Sequence, residues 1–99
     1  MKLRLAITVL LLSSAALAQA PRPKGGFIPN EQTAIRVAEA VLSPIYGEQQ
    51  IMSERPFHAK LHGDVWTVEG SLATGVDGGV ATIHLDKKTG AVISYIHGK

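Results

Sequence analysis

Apolar residues recur at three- and four-residue spacing from Ala34 through Ile35, Ala38, Val41 and Leu42 to Ile45, while Gln32, Arg36 and Glu39 fall on the other side. That period predicts an amphipathic helix. Asn30 stands where an N-cap is needed: its side-chain oxygen can accept from the unpaired N–H groups of the first turn, and Glu31 follows at the positive end of the helix dipole. The expected helix runs from Asn30 to about Ser43. Pro44 lacks the N–H that would reach the carbonyl of Ala40 and disfavours helical geometry at Ser43, so it reads as a terminator. Ile45 adds one more turn of apolar stripe, and Gly47 can adopt the left-handed conformation that commonly closes a helix. From there the chain is expected to turn toward a first strand.

Beyond Ile51 the period changes to two. Phe57, Ala59 and Leu61 alternate with His58, Lys60 and His62, and Trp66 and Val68 alternate with Val65, Thr67 and Glu69. Gly63-Asp64 is a two-residue hairpin signal. With that turn Leu61 faces Trp66, Ala59 faces Val68, Lys60 faces Thr67 and His58 faces Glu69, which collects the apolar pairs on one face. The second hairpin, GVATIHLDKKTGAVISYIHG, turns through Lys87, Lys88, Thr89 and Gly90. A four-residue loop sets Leu85 opposite Val92, Ile83 opposite Ser94 and Ala81 opposite Ile96, with His84 beside Ile93 and Thr82 beside Tyr95 on the other face. The same register puts His97 opposite Val80. Ser71 to Gly79, containing ATGVDGG, links the hairpins as a glycine-rich loop. The expected fold class is α+β: one N-terminal helix packed on a four-stranded antiparallel β-meander, the helix covering the apolar face because no other element can.

The start of the chain, MKLRLAITVLLLSSAALAQA, has Lys2 and Arg4 ahead of an apolar run and small residues spaced as A-x-A. It reads as a signal peptide, with cleavage expected after Ala18 because the alternative places Pro21 directly behind the cut. The run from Leu5 to Leu12 falls short of the roughly 20 residues of a transmembrane helix. Residues 1–18 are therefore expected to be the signal peptide, 19–29 a flexible leader rich in Pro and Gly, and 30–99 the α+β domain. A periplasmic or secreted location follows, with no stable membrane association after cleavage. Lys2 and Arg4 are two of ten basic residues, so their removal leaves eight against eight acidic ones. A neutral domain offers no basis for a nucleic-acid partner. The chain also has no Cys, hence no disulfide staple, and must fold by packing alone.

His58 and His62 show H-x-x-x-H spacing, but on a strand four residues span roughly 13 Å, too far for one metal. His84 and His97 fail in the same way, and no metal or cofactor is expected. His58 facing Glu69 has the form of a carboxylate-oriented base; ordinary cross-strand pairing of opposite charges is the favoured explanation. No nucleophile is placed beside it, since Ser71 and Thr67 lack an elbow motif. The GVDGG loop lacks the Lys-Ser/Thr ending of a phosphate loop. Trp66 falls on the apolar face and reads as core. Tyr95 and Ile93 fall together on the outer face, where simple cross-strand packing accounts for them first and exposed aromatic and aliphatic groups offer a protein partner second.

The runs GFIPNEQTAIRVAEAVLSPIYGEQQI, RPF, VWTVEG and GGVATIHLDKKTGAVISYIHGK extend from Gly26 to Lys99. They resemble the small immunity proteins with a nuclear transport factor two-like fold that accompany bacterial polymorphic toxins. The most specific parts are Pro44-Ile45-Tyr46-Gly47-Glu48 and His97-Gly98-Lys99, supported by the WxVxG element Trp66 to Gly70 and the Gly78-Gly79 pair. The resemblance implies a non-enzymatic protein that binds and blocks a cognate protein toxin, in the periplasm if the signal peptide acts as read. The full fold of that kind has several helices forming a cone; with one long helix here, a reduced cone-like or cystatin-like arrangement is expected. An isomerase or dehydratase on this fold needs an acid or base in an apolar pocket, whereas the acidic side chains fall in helix-polar, turn or outer-face positions. The candidate partner-facing residues are Tyr46, Glu48, His58, Glu69, His84, Ile93, Tyr95 and His97. The alternative is an envelope module that binds a small molecule or peptide, cystatin-like and protease-regulating.

Overall fold

The computed structural model describes residues 20–99. The expected signal peptide and its cleavage site at Ala18 lie outside the described residues. Helix α1 spans Glu31–Tyr46 and is capped by Asn30, whose side chain accepts from the Thr33 N–H and hydroxyl at 2.9 Å each. Its buried stripe is Ala34, Ala38 and Leu42. The helix does not end at Ser43, because Pro44 lies inside it. One lost bond to Ala40 is not enough to stop a helix whose last turn is closed three residues later: the Gly47 N–H donates to the Ser43 carbonyl at 2.8 Å. Gly47 supplies the break, with φ 99° and ψ 138°, a region that side-chain-bearing residues rarely enter.

The chain then forms a second helix rather than heading for the sheet. Helix α2, Glu48–Ser53, buries Ile51 against α1. Its six residues, EQQIMS, are too few to display a period, and so the hydrophobic pattern does not reveal it.

Four strands follow, β1 His58–His62, β2 Val65–Glu69, β3 Ala81–Asp86 and β4 Val92–His97, in sheet order β1-β2-β3-β4. The first hairpin has the expected register, His58↔Glu69 through Leu61↔Trp66. The second begins as expected at Leu85↔Val92 and then departs. His84 pairs with Ser94, Ile83 with Tyr95, Thr82 with Ile96 and Ala81 with His97. A β-bulge leaves Ile93 unpaired, and one extra residue moves every later side chain to the opposite face. The expected pairs Ile83 with Ser94, Ala81 with Ile96, His84 with Ile93 and Thr82 with Tyr95 are therefore corrected, as is His97 with Val80. Alternation could not decide the phase, because β4 offers two adjacent apolar pairs, Val92-Ile93 and Tyr95-Ile96.

Helix α1 packs over β1, β2 and β3. Ile28, Ile51, Phe57, Trp66, Val68, Ala81, Ile83 and Leu85 complete the core. β4 stays exposed from Val92 to Ile96. The stretch ahead of α1 is seated on the second hairpin: the Phe27 and Ile28 N–H groups donate to the Lys88 and Lys87 carbonyls at 3.2 and 3.0 Å. The Lys87 amine donates to the Gly25 carbonyl, and the Trp66 indole N–H donates to the Ile28 carbonyl at 2.8 Å. The packed part of the chain thus begins before Asn30.

Candidate functional site

The bulge in β4 assembles a cluster that no stretch of sequence displays. It puts Tyr95 and His97 on the helix side of the sheet, where both meet Tyr46 at the end of α1. The Tyr46 and Tyr95 rings meet edge to face with centroids 6.5 Å apart, and the His97 ring is 5.1 Å from Tyr46. The sequence expectation that Tyr95 shares the outer face with Ile93 is corrected by this placement. Tyr95 packs against α1 with half its surface still open, and Ile93 occupies the bulge.

At the base of the cluster lies Glu54, directly after α2 and only 3% exposed. Its carboxylate accepts from three donors: the Ala81 N–H at 2.6 Å, the Gln50 amide at 3.0 Å and His97 Nε2 at 2.9 Å. It therefore ties α2 to the start of β3 and the end of β4. Burial pushes this carboxyl up, but the Ala81 N–H, the Gln50 amide and the His97 ring together outweigh burial and hold it below the usual carboxylate range. His97 moves the other way. Its hydrogen bond to Glu54, with a second to the Gly98 carbonyl at 2.8 Å, raises its pKa above the usual imidazole value despite partial desolvation. Both ring nitrogens face acceptor oxygens, and only the protonated ring donates from both.

Glu54 was missed by the sequence reading, which assigned every acidic side chain to an exposed position. Its one sequence-level partner is Gly70. A Cβ at Gly70 would stand 2.8 Å from Glu54 Oε1 and 3.0 Å from Glu54 Cβ, so the buried carboxylate occupies the space of a side chain there. The glycine of the WTVEG run is the visible trace of a group 16 residues away.

The other candidates lie apart from this cluster. Glu48 is exposed at the first position of α2. His58, Glu69 and His84 sit on the outer face of the sheet. His58 and Glu69 are cross-strand partners, but Glu69 accepts from the Thr82 hydroxyl at 3.4 Å and no ion pair joins it to His58. His84 Nδ1 lies 3.0 Å from the Thr67 hydroxyl. His58, Lys60, His62, Thr67 and Glu69 line a shallow hollow of about 270 Å³. Among the described residues, no group of three or more His, Cys, Asp or Glu side chains is arranged to hold a metal ion.

The family model described as NTF2 fold immunity protein matches residues 33–99, which include both the Glu54 cluster and the outer hollow. The uncharacterized protein YbbC of Escherichia coli (strain K12) is 37% identical over 73 residues, covering 73% of this chain and 60% of its own. The uncharacterized protein YhhH of the same organism is 29% identical over 73 residues, covering 73% of this chain and 58% of its own. The chain thus spans about three fifths of the length of these two relatives. No solved structure matches it.

Proposed function

The chain belongs to the NTF2 fold immunity proteins, and from that membership we propose that it binds a cognate bacterial protein toxin of a polymorphic toxin system and neutralises it without catalysis. The family match across residues 33–99 carries this reading. The outer sheet face serves as the contact surface, with His58 and Glu69 lining the hollow and His84 beside it against Thr67. That surface is open and polar, with charges of both signs, which suits the side chains of a protein partner better than an enclosed apolar ligand. Glu54 and His97 have a structural task in this reading. A carboxylate held ionised by three donors is spent on the fold and is not poised to deliver a proton. The apolar leader with its A-x-A spacing supports action in the periplasm or outside the cell.

The test is co-expression with the toxin encoded beside the gene. The native chain is expected to restore growth and to co-purify with that toxin. A His58→Ala, Glu69→Ala, His84→Ala variant should lose at least about tenfold in affinity, or 1.4 kcal/mol, with an unchanged melting temperature. Absence of protection against every neighbouring toxin rejects the immunity reading; protection that survives the triple substitution rejects the outer face.

A further inference from the structure

The sheet has two edges, β1 and β4, and they differ in kind. β1 carries Lys60 between His58 and His62, and an edge lysine discourages strand addition. β4 has no Asp, Glu, Lys or Arg, and it exposes Val92, Ile93, Tyr95 and Ile96 at 42, 53, 50 and 66%. Its backbone is also available. The Gly98 N–H donates to the Val80 carbonyl. Since inward and outward backbone groups alternate along an antiparallel ladder, Ile96 and Ser94 also face β3, and the N–H and C=O of Tyr95 and His97 point to the free edge. The bulge is confined to the Val92–Ile93 end, which leaves Ser94 to His97 regular, with the Gly98 bond to Val80 continuing the ladder.

We propose that this edge pairs with the same edge of a second copy, antiparallel about a two-fold axis through Ile96. In that register Ile96 of one copy meets Ile96 of the other at a non-hydrogen-bonded site, where side chains approach most closely. Tyr95 meets His97 on either side of the axis, and each of these pairs exchanges both backbone hydrogen bonds. Ser94 meets Gly98. The most exposed large apolar side chain of the described residues is thereby covered, and the Tyr46, Tyr95 and His97 cluster becomes continuous across the axis. Charge favours a copy of the same chain. Lys99 falls opposite Ile93, so no charge meets a like charge, and residues 20–99 hold eight basic and eight acidic side chains, with no net repulsion between copies. The pairing does not depend on the immunity reading. It leaves the outer face of both copies open and side by side.

The chain has no cysteine, so a single introduced one reports the contact cleanly. At the proposed axis the two Cα atoms stand about 4.5 Å apart, within disulfide reach. Protein purified from the full chain is expected to sediment as a concentration-dependent dimer with twice the monomer mass. Ile96→Cys should form an interchain disulfide under mild oxidation at least about tenfold faster than Lys60→Cys on β1. Ile96→Lys should sediment as a monomer while keeping the native circular dichroism and melting temperature, since the side chain is solvent-facing. A protein that stays monomeric at every concentration overturns the proposal, as does a dimer that survives Ile96→Lys or equal cross-linking at the two edges. A monomer whose Ile96→Lys variant loses toxin capture overturns it in favour of a toxin strand on β4. Because sedimentation involves no toxin, failure here leaves the immunity reading intact, and failure of protection leaves the dimer intact.

Discussion

Glu54 is the buried charged residue of the described chain, and three hydrogen bonds converge on its carboxylate. It binds the Ala81 N–H, Gln50 and His97, and it fits only because Gly70 has no side chain. Gly70→Ala should cost about 1–3 kcal/mol, the usual range for overpacking a filled interior, read as a lower urea midpoint. Glu54→Gln keeps the shape but presents an N–H₂ group to one of the existing donors, and should cost about 1–3 kcal/mol in the same assay. The pair also sets a pH dependence. His97 has a raised pKa in the folded state, so its contribution is complete below the unfolded imidazole value of about 6.5 and is lost as pH rises through the folded value. Glu54 has a lowered one, so its contribution is present above the unfolded carboxyl value and is lost as pH falls through the folded value. Stability from this tie is greatest between about pH 4.5 and 6.5. Denaturation at about pH 6 and about pH 9 should show an alkaline loss in the native chain that His97→Asn largely removes. An equal loss in both proteins would show that His97 does not carry it.

At the scale of elements, the β4 bulge and the Gly47 break make the decisions. Deleting Ile93 removes the extra residue and leaves Ser94, Tyr95, Ile96 and His97 on their present partners. The Tyr46 to Tyr95 contact should survive in NMR spectra, with only a small change in stability. Deleting Ile96 instead moves His97 to the outer face and breaks its bond to Glu54, so the alkaline loss should disappear and the protein should be the less stable of the two. Both elements were half legible. The Asn30 cap, the Ala34, Ala38 and Leu42 stripe and the first hairpin are written in residues close together in sequence. The bulge is not, because its phase depends on which of two adjacent apolar residues gains more by facing α1, and that requires α1 to be in place.

For the whole molecule, the core draws on a residue from the Pro- and Gly-rich stretch ahead of the first helix. Ile28 is buried, and its carbonyl receives the Trp66 indole N–H. Ile28→Ala should cost about 2–4 kcal/mol in chemical denaturation, while Phe27→Ala, at a half-exposed neighbour, should cost well under that. Equal effects would mean that the segment does not dock as described. Local sequence by itself determined the helix with its cap, the first hairpin with its register, the meander order and the membership in the immunity family. Each follows from periodicity, turn chemistry or motif over a few tens of residues. Tertiary structure alone decided that Glu54 is interior, that Tyr95 and His97 face the helix and that Ile28 belongs to the core. Those outcomes depend on contacts between residues 27 to 59 positions apart, and a contact of that range leaves no pattern until the chain has closed around it.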